Sequence, residues 1–477
     1  MFDSATLSDL DDVATSQIRV AEIVTALSYA LDLAEGQREG HAVRTCLIGM
    51  AIAEELKLSD ADRSTLYYVL LLKDLGGSSN SAKLCYLFGA DDRKVKHNLK
   101  LVDWARMSQS LQFMSRNVMP DGSALQRAMR TVVLALEGPS GLSRLIQARS
   151  ERGVEIARRL GLSEPTATAI GQLDEHWDGR GHPAGLERED ISLPARICCL
   201  AQTVEFFFSE SGPAAAADIA RERRGTWFDP AMVDAFLSLA RENAFWERLK
   251  GADLRAEAVR LEPREFVLTA SDAAVDRIAR GFAQVVDAKS HWTYRHSENV
   301  ARIGVGIANV LGLPEETVSR VYRASLLHDI GKLSVSNLIL DKPGNLTSQE
   351  YVELRRHPLH THQILGRSPV FADVTEMAAS HHERFDGRGY PRGIPSEKLP
   401  VEARLVMVAD ICEALSSKRP HRPEMPREKV HEILAKDAGT AVCPECVEAL
   451  KNYHDRAELI SKVNEQLDEV ERVMATL

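Results

Sequence analysis

The 477-residue chain has no apolar run approaching the ~20 residues of a membrane span; Tyr67 to Leu72 is typical of its longest. Its first dozen residues are acidic and lack the basic and apolar regions of a secretion signal. Cysteine is sparse and odd in number, seven in all, which argues against a disulfide framework and fits free thiols in a reducing cytoplasm. Positive charge is not in excess. With 59 Lys and Arg against 69 Asp and Glu the net charge is -10, a poor match to a protein that grips duplex DNA by neutralising phosphates. One local cationic pocket for a small anionic ligand is still allowed. Long runs of alternating polarity, the mark of strands, are scarce. What is present, 44% hydrophobic and 27% charged residues, suffices for a proper core in each of two or three domains.

The apolar pattern is helical. Between Arg295 and Leu311, Val300, Ile303, Ile307, Val310 and Leu311 recur at three- and four-residue steps. Gly161-Leu162-Ser163 and Gly312-Leu313-Pro314 each end one helix and open the next. The Gly- and Pro-rich stretches Asp178 to Gly185 and Asp386 to Pro395 read as ordered loops. The expected class is all-α.

The chain also repeats itself. His41 and Leu71-Leu72-Lys73-Asp74-Leu75-Gly76 recur 255 residues later as His296 and Leu326-Leu327-His328-Asp329-Ile330-Gly331. Asp178-Gly-Arg-Gly-His-Pro183 and Ala195-Arg196 recur 208 residues later as Asp386-Gly-Arg-Gly-Tyr-Pro391 and Ala403-Arg404, so the first copy carries 47 additional residues between the two blocks. Two helical domains are expected, at 15–241 and 271–453, joined by a helical connector at 242–270. The tail, 454–477, reads as an amphipathic helix with Ile460, Val463, Leu467, Val470 and Val473 on its stripe; it either packs on its own domain or makes a homodimer.

Histidine is unevenly spread: 11 of 15 lie from His291 onward, which directs attention to the second copy. There His328-Asp329 ends an apolar helix. A lone His-Asp dipeptide means little, but His296 precedes it, and His357, His381-His382 and Asp410 follow on separate helices. A helical bundle can bring such side chains to one interior point. Imidazoles and carboxylates without cysteine favour iron, manganese or a similar divalent ion over structural zinc. Seven donors exceed the needs of one ion, so two ions are expected, able to clamp a phosphoryl group for in-line attack. Asp329 suits a bridging position, and Lys332, one turn on, suits a contact to the scissile phosphate.

His328-Asp-Ile-Gly-Lys332 together with His381-His-Glu-Arg-Phe-Asp-Gly-Arg-Gly-Tyr-Pro391 resembles the HD-GYP family of helical metal-dependent phosphohydrolases, which typically cleave cyclic di-GMP. The resemblance covers about 180 residues of the second copy closely and the first copy loosely. It implies that His296, His328, Asp329, His357, His381, His382 and Asp410 are metal ligands and that Asp329 and Lys332 are catalytic. It further implies that Lys332, Arg388, Tyr390, Arg419 and Arg422 contact substrate. The product would be the linear dinucleotide pGpG or GMP. The Gly387 to Pro391 loop would border the substrate entrance or a partner such as a diguanylate cyclase. A signalling adaptor that binds the dinucleotide with little turnover, or a hydrolase of another cyclic dinucleotide or nucleotide, are the alternatives. Three positions depart from the family pattern: Trp292 replaces a glutamate that helps hold a third metal, Thr361 a glycine, and His421 a tyrosine.

In the first copy only His41 and Asp74 survive of the donors. Lys73, Arg149, Leu173, Asp174 and Gln202 stand at the other ligand positions and Gly77 at that of Lys332. Positive charge where ions would sit opposes metal, so this half is expected to be a structural partner or a regulatory domain, with Lys73 and Arg149 paired to Asp74 and Asp174. Cys443-x-x-Cys446, a lone pair with no second, is a weak signal for zinc or redox chemistry; Cys198-Cys199 reads as core, His291, His360, His362, His421 and His431 as surface or supporting residues, and Trp227, Phe228 and Phe206 to Phe208 as packing.

Overall fold

The computed structural model describes residues 19–102, 107–263, 271–293, 295–418 and 422–459. Arg419, His421 and most of the tail helix lie outside them. Among the described residues the architecture is helical, with only isolated bridges of extended backbone such as Arg224 to Phe228 and Ala438 to Val442. No helix among them is long and apolar enough to cross a membrane.

The two copies are visible element by element. His41–Glu55 and Asp60–Leu72 correspond to His296–Val310 and Glu315–Leu327; Glu164–Gly171 corresponds to Ala372–Ala379. Each copy wraps its apolar stripes round a central helix, the part of Leu193–Glu222 before its break at Gly212 in the first and Val401–Ser416 in the second. The 47 additional residues fold as Ser81–Phe88, Asp92–Leu99, Met107–Asn117 and the first part of the 36-residue helix Ala124–Arg159. They have a small core of their own around Leu84, Leu87, Phe88, Val95 and Phe113.

The halves are interlocked. Val20–Ala34, the first helix of copy one, packs on Ile330–Ser334 and His357–Leu365 of copy two. Reciprocally Asp272–Asp287, the first described helix of copy two, packs on Gly77–Asn80 and Ala124–Arg159 of copy one. One apolar cluster therefore runs through both halves, from Ile23 and Leu27 to Phe282 and Leu333. The expected connector is part of this packing as well: Phe245 and Trp246 are buried against Phe236, and Leu254–Arg260 lies against Val20–Ala34 and His41–Glu55.

Polar contacts also cross the interface. Asp92, from the additional segment, is fully buried and takes the Lys289 ammonium at 3.0 Å, the Asn337 amide N–H at 2.9 Å and the Ser336 hydroxyl at 3.3 Å. Burial would raise the Asp92 pKa, but Lys289 and Lys96 hold it down at about 2. Removing one partner strands the other in the interior, so Asp92→Ala is expected to cost about 3–5 kcal/mol, read as a lowered urea midpoint. The double change Asp92→Leu/Lys289→Met should recover part of that loss; full stability of the single variant would show that the pair does not hold the halves together.

Candidate active site

Three of the imidazoles are aimed by one device. His328 follows the Glu315–Leu327 helix, His357 follows Ser348–Leu354, and His381 follows Ala372–Ala379. In each, ring Nδ1 donates to the carbonyl three residues earlier, at 2.7 Å to Ser325, 2.7 Å to Leu354 and 2.6 Å to Ala378. Those carbonyls belong to helix ends, where intrahelical partners run out. The bond fixes Nδ1 as the protonated nitrogen and turns Nε2 inward. His296 is aimed differently, its Nδ1 bonded to the buried carboxylate of Glu413.

The inward nitrogens meet round Asp329, which is almost fully buried. Its Oδ2 lies 3.4 Å from His296 Nε2 and 3.3 Å from His328 Nε2; its Oδ1 lies 3.4 Å from His357 Nε2 and 3.6 Å from His381 Nε2. The Asp410 carboxylate joins the first group, 3.3 Å from His296 and 3.7 Å from His328. His382 joins the second, where one ligand nitrogen from each of His357, His381 and His382 falls within 4.8 Å of the others. Two triads thus face opposite oxygens of one carboxylate. All seven residues expected as ligands are brought together.

The donor set suits divalent ions. His328 Nε2 and Asp329 Oδ1 are buried without a hydrogen-bond partner, and their neighbours at 3.3–3.6 Å converge on them as co-ligands do. The charge pattern agrees. Burial would lower the pKa of His328, yet Asp329 and Asp410 hold it up at about 9. Burial, reinforced by His357, pushes His382 down to about 3, so it is neutral and ready to donate a lone pair.

Around this core, Lys332 bonds Asp329 Oδ2 at 2.5 Å and borders a cavity of about 210 Å³ with Lys289, Trp292 and Lys342 on its wall. Tyr390 stacks on His382, ring centroids 4.8 Å apart, with the Arg355 guanidinium 4.3 Å from its own ring. Arg388 is exposed and faces Asp386 at 3.6 Å. Arg422 caps the end of the Val401–Ser416 helix, donating to the carbonyls of Ala414 and Leu415 at 2.5 and 2.8 Å; that geometry engages its guanidinium in holding the chain. Glu383, beside the paired histidines, accepts the N–H groups of Arg392 and Ile394, both at 2.9 Å, and so pins the Gly387–Pro391 loop.

Thr361 finds a use. Its hydroxyl donates to the His328 carbonyl at 2.8 Å and accepts the Gly331 N–H at 3.1 Å, tying two elements of the site. Gly331 is required because a Cβ there would overlap the His357 carbonyl; Gly76 meets the Arg149 carbonyl in the same way. His360, His362 and His431 take partners away from the cluster, in Gln363, Glu376 and His454. Two supporting acids were missed in the sequence, Glu413 and Asp287, the latter accepting the Ser297 N–H and hydroxyl. Their counterparts, Glu205 on His41 and Asp32 on the Ala42 N–H, sit at the same 208- and 255-residue offsets and were the available signal.

In the first copy, Lys73 bonds Asp74, and Arg149 reaches Asp74 at 3.1 Å and Asp174 at 3.2 Å, the expected buried network.

Comparison with known proteins agrees with this geometry. The sequence pattern described as HD domain matches residues 142–232 and 280–445. A 3'3'-cGAMP-specific phosphodiesterase 3 of Vibrio cholerae is 39% identical over 92% of this chain and 95% of its own. A cyclic di-GMP phosphodiesterase of Thermotoga maritima is 38% identical over 33% of this chain and 43% of its own. The crystal structure of the V. cholerae cyclic GMP-AMP specific phosphodiesterase V-cGAP3 superposes with a TM-score of 0.64 at 35% identity, over 92% of this chain and 98% of that one.

Ion uptake should release a proton. His328, protonated below about pH 9 in the metal-free protein, must lose that proton to bind through Nε2. Burial would lower the pKa of His296 too, yet Asp329, Asp410 and Glu413 hold it well above the usual imidazole range, so it must do the same. Manganese affinity is therefore expected to rise by about tenfold or more per pH unit between pH 6 and 8, with proton release seen by calorimetry in buffers of different ionisation enthalpy. A flat affinity over that range would remove His328 from the ligand set.

Proposed function

We propose, from the premise that the chain belongs to the HD domain family and to its HD-GYP branch, that the second copy is a metal-dependent phosphodiesterase that opens the ring of 3'3'-cGAMP. The observation that carries it is the Asp329 carboxylate, with one imidazole group facing each of its oxygens. His296, His328 and Asp410 would hold one divalent ion and His357, His381 and His382 the other, with the Asp329 carboxylate lying between the two groups. Iron or manganese fits this imidazole and carboxylate set. Bound there, the pair supplies Lewis-acid polarisation of the phosphate and acidifies water for attack on phosphorus.

The chain's own groups do the positioning. The Nδ1 bonds to helix-end carbonyls lock the imidazoles so that no reorientation is needed when substrate arrives. Lys332 brings an ammonium to the edge of the cluster, where it meets the phosphate oxygen that gains charge in the transition state. Tyr390, stacked on His382, shields that side from water. Water adds across one P–O bond, leaving a linear dinucleotide with a terminal phosphate.

The choice of 3'3'-cGAMP rests on likeness through both copies to the V. cholerae enzyme of that specificity, whereas the Thermotoga cyclic di-GMP enzyme shares a third of the chain. Cyclic di-GMP, the expectation from the motif, is the second reading. Chromatography of products with manganese or ferrous iron present should show hydrolysis, with a larger kcat/KM for 3'3'-cGAMP. His328→Ala and Asp329→Ala should each lower kcat by about a thousandfold or more. Equal or inverted preference would overturn the substrate, and undiminished turnover in either variant would overturn the site.

A further inference from the structure

We propose that the first copy holds a second nucleotide site, a cavity that binds a phosphate ester of a nucleoside without hydrolysing it. The cavity measures about 440 Å³ and opens beside the former metal position, with Lys100, Arg149, His176, Arg180, Arg223 and Trp227 on its wall. That is within the ~300–1,000 Å³ typical of small-ligand pockets.

Fixed cations have replaced ions. His41 keeps the arrangement of His296, with Nδ1 on Glu205, but its Nε2 accepts a hydrogen bond from the Lys100 ammonium at 3.4 Å. Lys73 and Arg149 supply the charge on Asp74. An ammonium or guanidinium attracts a phosphate as an ion does but offers no open position at which water becomes acidic. Binding is preserved and the attack is not.

One ammonium on the wall, that of Lys100, carries no carboxylate hydrogen bond. Three lining cations are matched inside the wall: Lys96 by Glu35 at 2.9 Å, Arg149 by Asp174 at 3.2 Å and Arg180 by Asp178 at 2.5 Å. Lys100 has a neutral imidazole as its hydrogen-bond partner, burial and Lys73 holding the His41 pKa at about 4 against the pull of Glu205. Glu222 is the remaining acid on the wall, and Asp74 and Glu35 attract the Lys100 ammonium without a hydrogen bond. Beside it a flat stack lines the wall: Trp227 lies on His176 with centroids 4.1 Å apart and 20° between planes, and the Arg223 guanidinium sits 3.7 Å from the indole centroid. Planar cationic and aromatic surface next to a phosphate-attracting floor is the chemistry that recognises a nucleotide. Packing alone, the expectation for Trp227, does not account for a stack that borders open space.

The additional segment closes the cavity. Lys96, Leu99, Lys100 and Val102 come from residues that the second copy does not have. The added wall brings two ammonium groups, those of Lys96 and Lys100, beside the apolar Leu99 and Val102.

The test uses the full chain carrying His328→Ala and Asp329→Ala in chelator, so that neither turnover nor metal-held phosphate contributes. 3'3'-cGAMP, cyclic di-GMP and GMP are titrated separately by calorimetry. One of them should bind at one site per chain, about tenfold or more weaker after Lys100→Met and after Arg180→Ala, and unchanged after Lys332→Ala. Arg180 is exposed, so its variant should unfold at the parent temperature. No binding of any probe up to 1 mM, on the order expected for a single weak phosphate contact, overturns the proposal. So does binding that ignores Lys100 and Arg180 or follows Lys332. Failure of the hydrolase reading would appear in turnover with metal and leaves this result untouched.

Discussion

A carboxylate sealed inside a helical bundle must be matched by positive charge, and Asp329 and Asp74 place that demand at the centre of both halves. An unmatched charge in such a place costs about 3–5 kcal/mol, a large share of a domain's stability. The second copy surrounds Asp329 with imidazoles on both oxygens and adds Lys332. The first copy surrounds Asp74 with Lys73 and Arg149. The substitutions that bring positive charge to the ligand positions are the ones that keep the aspartate compensated. Neutral replacements at 73 and 149 would have left the bundle with a buried anion.

Much of this could be read from residue types. The convergence of these donors is legible because imidazoles and carboxylates on separate apolar helices have few other reasons to recur, and the two copies are legible because their offsets are constant. The pairing of Lys73 with Asp74 and Arg149 with Asp174 followed from charge. Other features were not legible, each for a physical reason. Lys100 lies in the segment without a counterpart, so no alignment of the copies could assign it to the vacated metal position. Arg422 was read as a phosphate contact from the family resemblance alone; its hydrogen bonds to the helix-end carbonyls of Ala414 and Leu415 depend on a chain reversal that residue types do not display. Thr361 was ambiguous because a hydroxyl bridging His328 and Gly331 depends on two elements 30 residues apart meeting. The reciprocal packing of Val20–Ala34 and Asp272–Asp287 was equally hidden, since an amphipathic stripe shows that a helix is covered but not by what.

That reciprocal packing gives the degenerate copy a task whether or not anything occupies its cavity. Val20–Ala34 covers Ile330–Ser334, the turn that carries Gly331 and Lys332, and the Arg93 guanidinium bonds the Ser334 carbonyl from the other side. The Ser78 hydroxyl donates to the Val285 carbonyl at 2.6 Å, fastening the symmetric contact. The turn that carries Lys332 is thus held by side chains that belong to the first copy, and its precise placement requires both halves to be folded together.

The helix Asp92–Leu99 then acquires a particular position. Its first turn is bonded into the second copy through Asp92 and Arg93, while Lys96 and Leu99 on its later turns, and Lys100 just beyond, line the cavity of the first. Eight residues rise about 12 Å, so one short rigid element touches both places. A helix with satisfied polar contacts at both ends moves as a unit or not at all. An anion drawing Lys100 off His41 would shift the far end against Ser334 and Asn337, two and five residues from Lys332. The ligand's difference in affinity between the two positions of the helix is the only energy available for such a shift, and it would be felt at the turn that carries Lys332.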